Sequence, residues 1–334
     1  NPEVTYERET LDLPGGESEE TTLSISQRFN LAGIKRLERR AAGHDLDAAL
    51  ARTELLRRER IALTRLAFYQ ALMAEQRAER MRVLITELGA LDAAVRARAQ
   101  AGDVSRYDTL RMQRELAIQD ARYLQLQSEA RAARQQLQLL ADVSASSTLQ
   151  GALLPPSLAD ADAANRVAGH PLLMALDAEQ RSAVSQGRAS ARKLWPDMTL
   201  GLGQKSVSEP GLEADGQVIS LGLELPLGDS GRQSAAAHRY QASQLRAERE
   251  LLLQQLKAAE STAREAVGVN RQASEKLIFH DGQAEMVNIA RAAYEAGEVS
   301  VMELLDAFSS GFSLHENLLQ HAMAAREAHI QWQQ

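Results

Sequence analysis

The sequence predicts a mostly helical protein with a minor β component, made from one unit used twice, whose few strands close a barrel only if several chains share it. Three observations lead there. The eight prolines fall at 2, 14, 155, 156, 171, 196, 210 and 226, leaving 15–154 and 227–334 free of them for long helices. Hydrophobic residues make up 44% of the chain but aromatic ones only 4%, which suits helices meeting along narrow seams of small side chains rather than one thick core. The second half also repeats the first. Asn-Pro-Glu-Val-Thr at 1–5 returns as Trp-Pro-Asp-Met-Thr at 195–199, and Ala-Gly-Asp-Val-Ser at 101–105 as Ala-Gly-Glu-Val-Ser at 296–300.

The elements follow in order. Residues 1–30 read as a first β-hairpin: Val4 and Tyr6 oppose Thr5, Glu7 and Glu9, and Leu23, Ile25 and Phe29 oppose Thr22, Ser24, Ser26 and Arg28. Residues 31–142 form a first long helical hairpin, whose outgoing helix over 34–98 would run roughly 95 Å at ~1.5 Å per residue. Leu84, Leu88, Leu91 and Val95 mark its packing seam by their spacing of four, three and four. Residues 143–165, with Ser144-Ala145-Ser146-Ser147 and Pro155-Pro156, are a linker. Residues 166–194 form the helix of the second repeat. Residues 195–227 give a second β-hairpin, with Met198, Leu200 and Leu202 on one face and Ile219, Leu221, Leu223 and Leu225 on one face of the next strand. Residues 228–334 form a second long helical hairpin, with Leu305, Phe308 and Phe312 on its seam.

Four strands cannot close a barrel, since closed barrels begin at about eight. Three copies would supply about twelve, and their long helices would continue the wall as a hollow cylinder. The polar strand faces carry small residues with Arg and Glu, as a wet lumen does. Segments of about nine to eleven residues also suit a tilted strand crossing a bilayer, whereas no run reaches the ~18 to 20 apolar residues of a spanning helix. The alternative is a soluble coiled-coil scaffold or adaptor whose hairpins pack on an ordinary core.

With 38 Lys and Arg against 45 Asp and Glu, a net charge of −7, the chain is not built to bind nucleic acid. The absence of cysteine removes disulfides, thiolate metal sites and cysteine nucleophiles. Catalysis finds no support. His315-Glu316 followed by His321 departs from the His-Glu-x-x-His metal motif and puts the imidazoles on different helix faces. Gly201-x-Gly203 lies in a strand, without the helix a nucleotide loop requires. Met73, Met81, Met112, Met286, Met302 and Met323 are scattered as seam fillers. No cofactor or resident metal is expected.

The duplicated order of strand, loop, strand, long helix, turn and helix, the two Ala-Gly-[Asp/Glu]-Val-Ser turns, and His170-Pro171-Leu172-Leu173 opening a helix before the second hairpin together resemble the TolC-like outer-membrane channels of bacterial tripartite efflux systems. The likeness runs nearly full length. It implies a homotrimer with a twelve-stranded barrel in the outer membrane, a helical barrel in the periplasm and an iris-like tip, working with a periplasmic adaptor protein and an inner-membrane pump of the resistance-nodulation-division class. The repeat also predicts a helix preceding Asn1, in a region where many family members carry a lipidated cysteine. Asn1-Pro2-Glu3-Val4-Thr5-Tyr6-Glu7 and the overall spacing resemble most the heavy-metal branch, with the organic-compound branch as the alternative.

The resemblance also assigns residues. Leu23, Ile25, Phe29, Met198, Leu200, Leu202, Ile219, Leu221 and Leu223 would face lipid. The turns Ala101, Gly102, Asp103, Val104, Ser105 and Ala296, Gly297, Glu298, Val299, Ser300 would be the periplasmic tips where adaptor hairpins dock. Glu303 and Asp306, three apart on one helix face, match the family's acidic gate ring, where crowding would raise some carboxylates above their ordinary pKa. In the first repeat Asp108 and Arg111 take their places, with Arg106, Tyr107 and Arg111 as partners for the acids. Capping of a helix start is the plainer role for Asp103, Glu298 and Asp108.

Overall fold

The computed structural model describes residues 2–13, 16–144, 147–158, 167–209, 211–224, 231–279 and 283–333. Leu225 and most of the second half of the linker lie outside them. In order, the chain forms β1 (Pro2–Leu13), β2 (Gly16–Asn30), α1 (Ile34–Ala101), α2 (Arg106–Leu140), α3 (Pro171–Ala191), β3 (Asp197–Glu209), β4 (Leu212–Glu224), α4 (Arg232–Phe279), α5 (Gln283–Ala296) and α6 (Val301–Trp332). The strands run to 12, 15, 13 and 13 residues, longer than their apolar segments because polar residues extend them beyond. The outgoing helix of the second half is described as α4 and α5, on either side of 280–282. Two compact units result: residues 1–54 with 171–253, and 55–170 with 254–334.

In the first unit the two hairpins join into one antiparallel sheet ordered β1-β2-β3-β4, because β2 and β3, far apart in sequence, pair from Glu19 opposite Ser208 to Asn30 opposite Asp197. This register sets residues of one parity in rows across the sheet. One face carries Val4, Ile25, Leu202 and Ile219 in a row, and Phe29, Met198 and Leu223 in another. The other face is crowded: a Cβ at Gly203 would lie 2.7 Å from the Leu23 carbonyl, and one at Gly201 would strike the Ser220 hydroxyl. Glycine there lets strands approach where a side chain would hold them apart. Below the sheet, α3 buries Ala175, Ala178, Ser182, Ser185 and Ala189, the small-residue seam that the composition predicts, and a Cβ on Gly187 would come within 3.3 Å of His238 Cβ.

The second unit is a helical bundle. Leu84, Leu88, Leu91 and Val95 of α1 are buried against Met112 of α2, Tyr294 of α5, and Leu304, Phe308 and Phe312 of α6. Leu304 takes the fully buried place, and Leu305, expected on the seam, packs beside it half-buried. Three arginines hold the described part of the linker through its carbonyls. Arg326 donates to Ala152, Leu153 and Leu154 at 2.6, 2.9 and 3.1 Å, with Tyr69 under its guanidinium at 4.2 Å. Arg134 reaches Ser147 and Arg271 reaches Pro155. Arg326 is 7% exposed, and burial lowers its pKa from the ordinary value; the carbonyls and the ring give that cation the partners that burial demands.

Candidate functional site

Two regions carry the expected functional residues: the faces of the sheet and the helical tips. On the sheet, Leu23 and Ile25 are 53% exposed, Leu202 62% and Ile219 78%. Leu200, Leu221, Leu223 and Phe29 are exposed as well, and Met198 is half-buried. Among the described residues no helix hides these side chains, as a core packed on that face would. Four successive rows, from Phe29 to Leu23, span about 20 Å along the strands, roughly 15 Å of height at the tilt of a barrel strand, against the ~25 Å apolar band of a barrel wall. Polar rows follow beyond, with Arg8, Thr21, Ser206 and Asp215 level across the strands.

The opposite face is polar and acidic. Arg28 bridges Asp197 and Glu224 at 2.7 Å each, and Lys205 pairs with Glu20. Register adds Glu3, Glu7 and Glu9 from β1 and Glu209 from β3 to the same face. Both β1 and β4 are edges of the sheet.

The tips explain the repeated motif. At the first, Gly102 has φ +89°, its N–H donates to the Ala99 carbonyl at 3.2 Å, and the Asp103 N–H donates to the Arg98 carbonyl at 2.9 Å. At the second, Gly297 has φ +79°, its N–H donates to Tyr294 at 3.0 Å, and the Glu298 N–H donates to Ala293 at 2.9 Å. This is the Schellman closure, which needs a left-handed residue best supplied by glycine. Ser105 and Ser300 then start the returning helices by accepting from the N–H groups of Asp108 and Glu303 at 3.1 and 3.3 Å, and Val104 and Val299 pack on the bundle core. Glycine closes one helix, valine anchors the turn and serine opens the next.

The carboxylates differ. Glu303 completes a capping box, accepting from the Ser300 N–H at 2.7 Å, and these hydrogen bonds hold its pKa below the usual carboxylate value. Within one chain the shift thus runs downward; the upward shift expected from crowding concerns facing copies. Asp108 accepts from the Ser105 hydroxyl at 2.6 Å. Arg111 donates to the Tyr107 hydroxyl at 3.3 Å, and among the described residues neither it nor Arg106 pairs with Glu303 or Asp306. Glu303 and Asp306 head an exposed stripe on α6 that continues through Ser310, Ser313, Asn317 and Gln320, opposite the buried Leu304, Phe308 and Phe312. A stripe this polar suits contact with water.

Sequence reasoning missed Arg98 and Tyr294. Arg98 donates to the Tyr294 carbonyl at 2.8 Å and stacks 5.1 Å over its ring, joining the two tips of one chain. Burial raises the Tyr294 phenol above its ordinary pKa. Their repeat counterparts are Ala293 and Ala99, so the only signal was that this pair breaks the repeat. The histidine segment has structural partners: Glu316 takes Arg77 in a two-pronged pair at 2.8 and 3.0 Å, and His321 bonds Asn270 at 3.0 Å. Among the described residues no group of three His, Asp or Glu could hold a metal ion, and no described helix is long and apolar enough to cross a membrane.

No protein-family model matches the chain, and no curated protein matches it in sequence. Solved structures do. The chain is similar to CusC, described in terms of folding and transmembrane channel formation, at TM-score 0.78 and 16% identity, with 99% of this chain and 82% of that one covered. It is similar to the outer-membrane channel OprN at TM-score 0.77 and 19% identity, covering 99% and 80%. It is also similar to the outer membrane protein VceC of Vibrio cholerae at TM-score 0.74 and 15% identity, covering 99% and 85%. The chain has the fold that the sequence resemblance implies: a four-stranded sheet and long helices in the TolC-like arrangement.

Proposed function

We propose that this chain is one of three that form an outer-membrane exit channel of a tripartite efflux system, opened at its periplasmic tip by an adaptor and supplied by an inner-membrane pump. The observation that carries the reading is the sheet: an uncovered apolar face, a charged and small-residue face behind it, and, among the described residues, two unpaired edges. Edges left open invite another copy, and only closure satisfies their backbone groups in lipid. The polar stripe on α6 supports a water-filled passage ending at Glu303 and Asp306.

Heavy-metal cations are the proposed cargo. On the polar face of the sheet seven carboxylates, Glu3, Glu7, Glu9, Glu20, Asp197, Glu209 and Glu224, stand against Arg28 and Lys205, a balance that favours cations over anions. Reconstitution in planar bilayers tests the channel: discrete conductance steps with cation preference are expected, and a bilayer that stays silent at every protein concentration contradicts it. A deletion strain challenged with single metals and single organic toxins tests the cargo. Sensitivity confined to organic compounds would replace metals by the alternative.

A further inference from the structure

We infer that the end of the sheet nearest the helices carries a cationic collar that binds the headgroups of anionic phospholipids, an inference that rests on the membrane reading above. Three segments meet there. Gly33 has φ +67°, and a Cβ there would lie 3.8 Å from Arg192, whose guanidinium donates to the Ala32 carbonyl at 2.9 Å. Gly231, with φ +64°, packs against the Ser190 carbonyl, with Lys193 Cβ 3.2 Å from where its own Cβ would be. Asn30, at the end of β2, accepts from the Ile34 N–H at 2.6 Å and donates to Asp197 at 2.8 Å. The starts of α1 and α4 and the end of α3 are thus tied to each other and to the strand ends.

Their charge is one-sided. Residues 31–40, 188–197 and 231–240 hold nine Lys and Arg against two carboxylates, Glu38 and Asp197, the latter already paired with Arg28, in a chain whose net charge is −7. Elsewhere many arginines are paired, as Arg52 with Glu179, Arg77 with Glu316 and Arg271 with Glu275. Here Lys35, Arg36, Arg39, Arg40, Arg188 and Arg232 are all exposed and form no ion pair among the described residues. The collar begins where the apolar band stops, at the row of Phe29, Met198 and Leu223. Trp195, 63% exposed, and Tyr240, 78% exposed, stand beside the basic residues. Trp and Tyr favour the level of the headgroups, and unpaired cations one step beyond an apolar band are placed to meet phosphate. An acidic protein would meet the charge equally well but would give no reason for exposed aromatic side chains at that border.

The test uses the full chain reconstituted in nanodiscs of phosphatidylcholine alone or with a minor fraction of phosphatidylglycerol, extracted gently and weighed with its retained lipid by native mass spectrometry. The wild type is expected to enrich phosphatidylglycerol over its fraction in the disc, less so as salt rises. Neutralising Lys35, Arg36, Arg39 and Arg40 to Gln should lower that enrichment by about fivefold per side chain until it is lost. Replacing Arg36, Arg39 and Arg40 by Lys should keep it, and R246Q, in a different part of α4, should leave it intact. Insertion without enrichment, or enrichment untouched by the Gln variant, overturns the collar while leaving the channel standing. Failure to insert in either disc overturns both.

Discussion

The two tips share a backbone and differ in charge. Each closes its outgoing helix with the same pair of hydrogen bonds around a left-handed glycine, and each opens its returning helix on a serine. Beyond the cap, the first tip presents Arg106, Tyr107, Asp108 and Arg111, and the second Glu303 and Asp306. The turn follows from local chemistry that both copies of the repeat preserve, so it serves the fold. What the copies do not share is where a gate would reside.

The largest expected effect separates the tips by charge. Replacing Glu303 and Asp306 by Ala should reduce cation preference of the reconstituted channel several-fold, whereas D108A with R111A should change it little; equal effects would erase the proposed division of labour. Next comes the bond between the tips. R98A removes a hydrogen bond to Tyr294 and a cation–π contact, about 1–2 kcal/mol together, and should speed amide exchange at both tips; protection unchanged would mean that the pair is incidental. Comparable in size, G102A and G297A each force a left-handed φ on alanine, costing about 1–2 kcal/mol, and should lower thermal stability alike, because the two turns are built alike.

The smallest effects concern the caps. S105A and S300A should each cost about 1 kcal/mol, and alike, because each removes a hydroxyl bonded to the N–H and the carboxylate three residues on, while the Ser300 N–H still reaches Glu303. The Glu303 pKa lies below its unfolded value of 4.5, so its contribution is complete above that value and fades as pH falls through the folded pKa. Amide protection at the start of α6 should therefore decline on acidification in the wild type and lose that dependence in E303Q. A dependence that persists in E303Q would place the titrating group elsewhere.

Periodicity made part of this readable in advance. Alternation exposed the strand faces at Leu23, Ile25, Leu200 and Leu202, because a two-residue period is a local property. The four-three spacing gave Leu84 to Val95, and glycine with serine gave the turns. What escaped depends on meetings between residues remote in sequence. Nothing local announces that β2 pairs with β3, that Arg98 reaches Tyr294, or that Arg326 is buried on the carbonyls of the linker. Arginine in a helix reads as a solvated side chain until the fold supplies its neighbours. The three-four spacing points to Leu305 on the seam, and only the packing of α6 shows that Leu304 holds the buried place.

The particle mass in detergent bears most directly on whether the sheet is a shared wall. Three chains of 36.6 kDa, held together in detergent and insoluble once it is withdrawn, is the result this account predicts. A single chain, monodisperse and stable in plain buffer with Ile25, Leu202 and Ile219 open to water, would contradict it.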